Sequence, residues 1–187
     1  MASVREAVKR LEQLGLVEVR HGDAMRVTDW RASGGLDVIA HVLFAGGDPE
    51  RSALEDLMEA RRLMLVGAAR LAAERRDEDQ AGRLRELADR IAAAPDTRAA
   101  QAIDFAFFSE LVEAARNVVL VLVMNSIRLI YFERAEFFTA LVEDRERLAP
   151  IYGRAARAVA RHQPGAAARA VAELAESQHE LLMEGLS

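Results

Sequence analysis

The sequence predicts a mostly α-helical protein, in which a partial winged helix-turn-helix (a recognition helix plus a β-hairpin wing) precedes an antiparallel all-helical bundle. Three observations lead there. From about Ser52 to Glu184 apolar residues recur at intervals of three and four, the spacing of one helical face. Apolar–polar alternation is confined to two short stretches near the N-terminus, "LVEVR" and "AMRVT". The composition is 51% hydrophobic, 29% charged and only 5% aromatic, and it favours Ala, Leu, Arg and Glu, side chains that lose little rotamer freedom in a helix.

Val4, Val8, Leu11 and Leu14 form an apolar stripe, so the chain opens with a helix, and Gly15 stops it. "LVEVR" and "AMRVT" then read as two strands joined at His21–Asp23, with Gly22 supplying the turn. Helix, strand, turn, strand is the second half of a winged helix. "RASGG" (residues 31–35) is a linker by composition, and "LDVIAHVLFA" a short amphipathic helix. In "GGDPE", Asp48 can cap the next helix, with Pro49 at its first position. Helices are expected from Ser52 to about Arg75, Glu78 to Ala94, Arg98 to Ala115, Val118 to about Leu141, Arg145 to His162, and Pro164 to near Glu184. The β-branched run "VVLVLVM" (Val118–Met124) would tolerate a strand, but its helical surroundings favour a helix buried in the core. It is far short of the roughly 20 residues that span a bilayer. The expected divisions are 1–30 (partial winged helix), 31–47 (linker and linker helix) and 48–187 (ligand-binding and dimerisation bundle).

Several chemistries are excluded. The chain has no cysteine, so disulfides, thiolate zinc sites and cysteine nucleophiles are absent. Met1 is followed by charged residues rather than the apolar run of a signal peptide, so a cytoplasmic location is the default. "ESQH" (Glu176–His179) has the Glu-x-x-His spacing of di-iron bundles, but its only echo, "EVRH" (Glu18–His21), falls on the wing. No Gly-rich phosphate loop, nucleophile elbow or zincin motif is present, and the protein is read as a non-enzyme. The net charge is −5, with residues 1–31 mildly basic and the remainder acidic. Contact with double-stranded DNA would therefore be local, through Ser3 and Arg5 at the helix start and His21 and Gly22 at the wing tip.

"REAVKRLEQLGLVEVR" (Arg5–Arg20) resembles the recognition helix and wing of GntR-family transcription regulators. "HGDAMRVTDWRASGGLDVI" (His21–Ile39) and "IDFAFFSELVEAARN" (Ile103–Asn117) are similar to the FadR subfamily of that family. The resemblance implies an operator-binding homodimer, with no membrane association, whose DNA affinity is set by a small-molecule effector. In the fatty-acid-responsive branch that effector is a long-chain acyl-coenzyme A. It also implies that about 40 to 50 residues of the family's winged helix would stand ahead of Ser3. The alternative is a stand-alone helical sensor without DNA binding. Many members bind a divalent metal through one Asp and three His. The Asp matches Asp104, but Phe108, Tyr152 and the vicinity of Ser177 stand where the histidines would be, so no metal or other cofactor is expected. Tyr152 and Ser177 match effector-contacting positions, which makes Asp104, Tyr152 and Ser177 the expected effector residues. Leu174 stands where the branch has a glycine. Asp104 could instead pair with Arg61 or Arg128.

Overall fold

A computed structural model describes residues 3–19, 25–44 and 49–186, in two compact units, 1–54 and 55–187. In the first unit, α1 spans Val4–Gln13 and is opened by a capping box: the Glu6 amide donates to Ser3 Oγ (3.4 Å) and the Ser3 amide to Glu6 Oε2 (2.9 Å). Gly15 has φ +68°, and a Cβ there would lie 2.6 Å from the Ser33 carbonyl oxygen, so only glycine fits this turn. Strands β1 (Val17–Glu18) and β2 (Arg26–Val27) pair antiparallel, Val17 opposite Val27. The expected turn at His21–Asp23 and the Asp48 cap lie outside the described residues. The linker holds one helical turn, α2 (Trp30–Ser33), then a 3-10 turn (Leu36–Val38) running into α3 (Ile39–Leu43). Pro49 does not open the next helix. That helix, α4, runs Arg51–Arg75, and the Glu50 side chain takes the capping role by accepting from the Ala53 amide at 3.1 Å.

The second unit is the helical bundle. After α4 come α5 (Glu78–Ala92), α6 (Thr97–Ala114), α7 (Val118–Glu133), the short α8 (Ala135–Phe138), a 3-10 turn (Thr139–Val142), α9 (Arg145–Ala160) and α10 (Pro164–Glu184). Asn and Asp open four of them: Asp77, Asp96 and Asp144 accept from the third amide, and Asn117 from the Val119 amide. Helix α9 packs against α5 and α10, and α5 against α6. Alanines let these axes approach closely. Ala81 and Ala88 on α5, Ala155, Ala156 and Ala158 on α9, and Ala167, Ala168 and Ala170 on α10 are all buried.

Two expectations about α7 need correction. It ends at Glu133 rather than near Leu141, and the chain continues as two short turns. Nor is it a core helix, since Val118, Val119, Leu122, Leu129 and Phe132 are exposed. Its nearly uniform apolar sequence carries no periodicity to show which face the bundle takes. No helix among the described residues is long and apolar enough to cross a membrane.

Candidate functional site

Five helices of the bundle converge on one carboxylate. Asp104 sits in the middle of α6, 1% exposed, one turn before Phe108. A buried carboxylate costs several kcal/mol unless its oxygens are satisfied. Here the donors come from elements far apart in sequence. The Tyr131 hydroxyl (α7) donates to Asp104 Oδ2 at 2.8 Å. Asp104 Oδ1 accepts from the Tyr152 hydroxyl (α9) and from Gln178 Nε2 (α10), the latter at 2.7 Å. Gln178, fully buried, also reaches the Tyr152 oxygen at 3.0 Å.

The Gln178 amide relays the arrangement to a cation. Its Oε1 accepts from Arg61 (α4) at 2.8 Å, and the Arg61 guanidinium lies over the Phe108 ring, 4.8 Å from its centroid. The second terminal nitrogen of Arg61, Nη1, is buried with no hydrogen-bond partner among the described residues. Arg61 lines a cavity of about 20 Å³, room for about one water molecule, with Asp104, Phe105, Phe108, Met124 and Tyr131 among the other lining residues. The site thus pairs a saturated carboxylate with a guanidinium that still has a donor to give. Burial pushes both tyrosine hydroxyls well above the ordinary 10.0, and the neighbouring Asp104 charge adds to it. Both therefore stay protonated donors throughout the physiological range.

The structure brings two of the three sequence-derived effector residues, Asp104 and Tyr152, into direct contact. Ser177 is buried on the same helix as Gln178 but faces elsewhere, accepting from Arg147 at 3.3 Å, while Arg147 also pairs with Glu180. The alternative pairing of Asp104 with Arg61 or Arg128 is not what forms. Arg61 reaches it only through Gln178, and Arg128 lies over Phe105, 5.4 Å from the ring centroid. Tyr131 and Gln178 were missed because neither carries a motif, and each becomes a donor to Asp104 only through tertiary packing. Phe108 fills the position of the first family histidine with a buried ring. Among the described residues no group of three or more His, Asp or Glu is placed to hold a metal.

In the first unit Ser3 is occupied as the cap of α1 and Arg5 is exposed, whereas His21 and Gly22 lie outside the described residues.

Comparison with known proteins bears on both units. The FCD domain family matches residues 56–177. The HTH-type transcriptional regulator Mce2R of Mycobacterium tuberculosis is 32% identical over 181 residues, 97% of this chain and 75% of that protein. The HTH-type transcriptional regulator LutR of Bacillus subtilis is 30% identical over 133 residues, 71% of this chain and 59% of that protein. Among solved structures, Streptococcus agalactiae GntR superposes with a TM-score of 0.60 at 22% identity, covering 94% of this chain and 79% of that one, which is a likeness of fold.

Proposed function

The chain belongs to the FCD-domain family of HTH-type transcriptional regulators, a non-enzymatic family, and from that premise we propose that it is a GntR-type regulator that binds operator DNA under the control of a small-molecule effector held at the Asp104–Arg61 cluster. The observation that carries the effector half is the buried, unpartnered Arg61 Nη1 beside the cavity at Asp104. A buried cationic donor without an acceptor is costly, and a ligand oxygen would satisfy it. Phe105, Phe108 and Met124 offer apolar contact to the remainder of the ligand.

This geometry favours a compact ligand with a carboxylate or carbonyl oxygen over a long-chain acyl-coenzyme A. Tyr152, one expected acyl-coenzyme A anchor, is committed to Asp104. Ser177, the other, is committed to Arg147, and Leu174 fills its site with no exposure. A ligand larger than one water must push lining side chains aside, and Tyr131 of α7 is among them, which gives the effector a mechanical consequence.

At the DNA, the start of α1 supplies Ser3 and Arg5, and His21 and Gly22 are the further contacts that the sequence suggests. Two such heads in a homodimer read a palindromic operator in the cytoplasm. Effector and operator favour different arrangements of the heads, so each lowers affinity for the other. Fluorescence anisotropy with duplex DNA from the gene's own upstream region tests the DNA half. Binding should weaken steeply between 50 and 200 mM salt, and Arg5→Ala should weaken it further with a shallower salt slope. Binding unaffected by Arg5→Ala and by salt would contradict it.

A further inference from the structure

Helix α7 has two unlike faces. Met124, Ile130 and Tyr131 are buried in the bundle, whereas Val118, Val119, Leu122, Leu129 and Phe132 are 45% to 70% exposed. Val118, Leu122, Asn125, Leu129 and Phe132 follow one another at alternating steps of four and three, the seam spacing of paired helices. No charged residue falls within that seam. Arg128 lies beside it, its guanidinium over Phe105.

We propose that this outer face of α7 is the twofold contact between two copies of the chain. The inference rests on the homodimer in the functional reading above and names its surface. Two properties select a second copy as the occupant. One is symmetry. When two α7 helices pack antiparallel about an axis passing Asn125 and Ser126, Leu122 meets the partner's Leu129 and Val118 meets the partner's Phe132. Asn125 of each copy then faces Ser126 of the other at the crossing. A twofold interface requires this self-complementarity, and an unrelated partner does not. Ser126 keeps the crossing small, because its hydroxyl is turned back to the Leu122 carbonyl at 3.2 Å. The other property is area. The five exposed side chains leave on the order of 500 Å² of apolar surface, the size of the largest and often functional patch that a protein of this kind exposes. Two such faces with their flanks bury on the order of 1,200 Å², where stable specific interfaces begin.

The same helix serves the effector cluster from its inner side. Tyr131 donates to Asp104, and the Phe132 ring packs edge-on against both Phe105 (5.1 Å) and Tyr131 (5.4 Å). A ligand that displaces Tyr131 therefore acts on the helix that joins the two copies.

The absence of cysteine makes the test clean. Ser126→Cys introduces a single thiol at the crossing, and Glu86→Cys places one on exposed α5 as control. Under mild oxidant, Ser126→Cys should form a covalent dimer at least tenfold faster than Glu86→Cys. Light scattering should give the unsubstituted chain twice its 20.6 kDa mass and the Leu122→Glu/Leu129→Glu variant a single-chain mass with its helical circular dichroism retained. A dimer that survives the double substitution, with Ser126→Cys cross-linking no faster than the control, overturns the assigned face and leaves the homodimer standing. An unsubstituted chain of single-chain mass with no cross-linking overturns both. Should the double variant fail to fold, the cross-linking comparison decides.

Discussion

Asp104 is satisfied by two tyrosines and a glutamine, so each donor carries part of the desolvation of the others. Tyr152→Phe removes a hydroxyl that serves both Asp104 and Gln178 and leaves the packing unchanged. It should cost about 1–3 kcal/mol in denaturant unfolding, and a loss below half a kcal/mol would mean that Asp104 does not depend on it. The chain has only two tyrosines, both in this cluster, so absorbance near 295 nm reports on the site alone. Both hydroxyls are raised in the folded state above the 10.0 of the unfolded chain. Their contribution is therefore intact below pH 10 and is lost above it, by about 1.4 kcal/mol per pH unit for each hydroxyl. Titration should show no tyrosinate until a cooperative alkaline unfolding step; gradual ionisation centred at pH 10 would contradict the burial. Of these residues only Asp104 and Tyr152 were legible in the sequence, through family resemblance. Tyr131 and Gln178 lie 27 and 74 positions from Asp104, and no local pattern announces such a meeting.

Elements with chemical punctuation were legible to within about two residues at their ends. The last helix, expected from Pro164 to near Glu184, runs Pro164–Glu184, with the proline at its start, where the missing amide costs nothing. Helix α5 is set by Asp77, whose side chain accepts from the Gln80 amide while Gln80 reaches back. That amide bond, with Arg116 and Arg83 nearby, holds the Asp77 carboxyl below its ordinary 3.8. A lowered value stabilises above the ordinary range and fades as pH falls through it. Asp77→Ala should therefore lower the unfolding midpoint at neutral pH, and the difference should vanish toward pH 2; a difference that persists there would point to packing instead. Helix α7 shows the opposite case. Neither glycine nor proline marks its end at Glu133, and its continuous apolar run gave no sign that one face would meet solvent. An exposed apolar face and a buried one have the same composition, and only the fold around them separates the two.

At the scale of the molecule, the alternating strands and long helical periodicities were enough to fix the fold class, because period 2 and period 3.6 are imposed by burial itself. The effector was not legible, since it depends on which polar atoms the bundle leaves unsatisfied. Arg61 lines the cavity, has one buried terminal nitrogen without a partner, and through the other is tied to Gln178, which in turn donates to Asp104. Isothermal titration of the chain with a panel of three- to six-carbon mono- and dicarboxylates and with palmitoyl-coenzyme A, each repeated on Arg61→Leu, tests the effector role of Arg61 most directly. At least one small carboxylate should bind the unsubstituted chain and Arg61→Leu should weaken it at least tenfold, while palmitoyl-coenzyme A should show no Arg61-dependent binding. No carboxylate binding, or carboxylate binding that survives Arg61→Leu, would contradict that role.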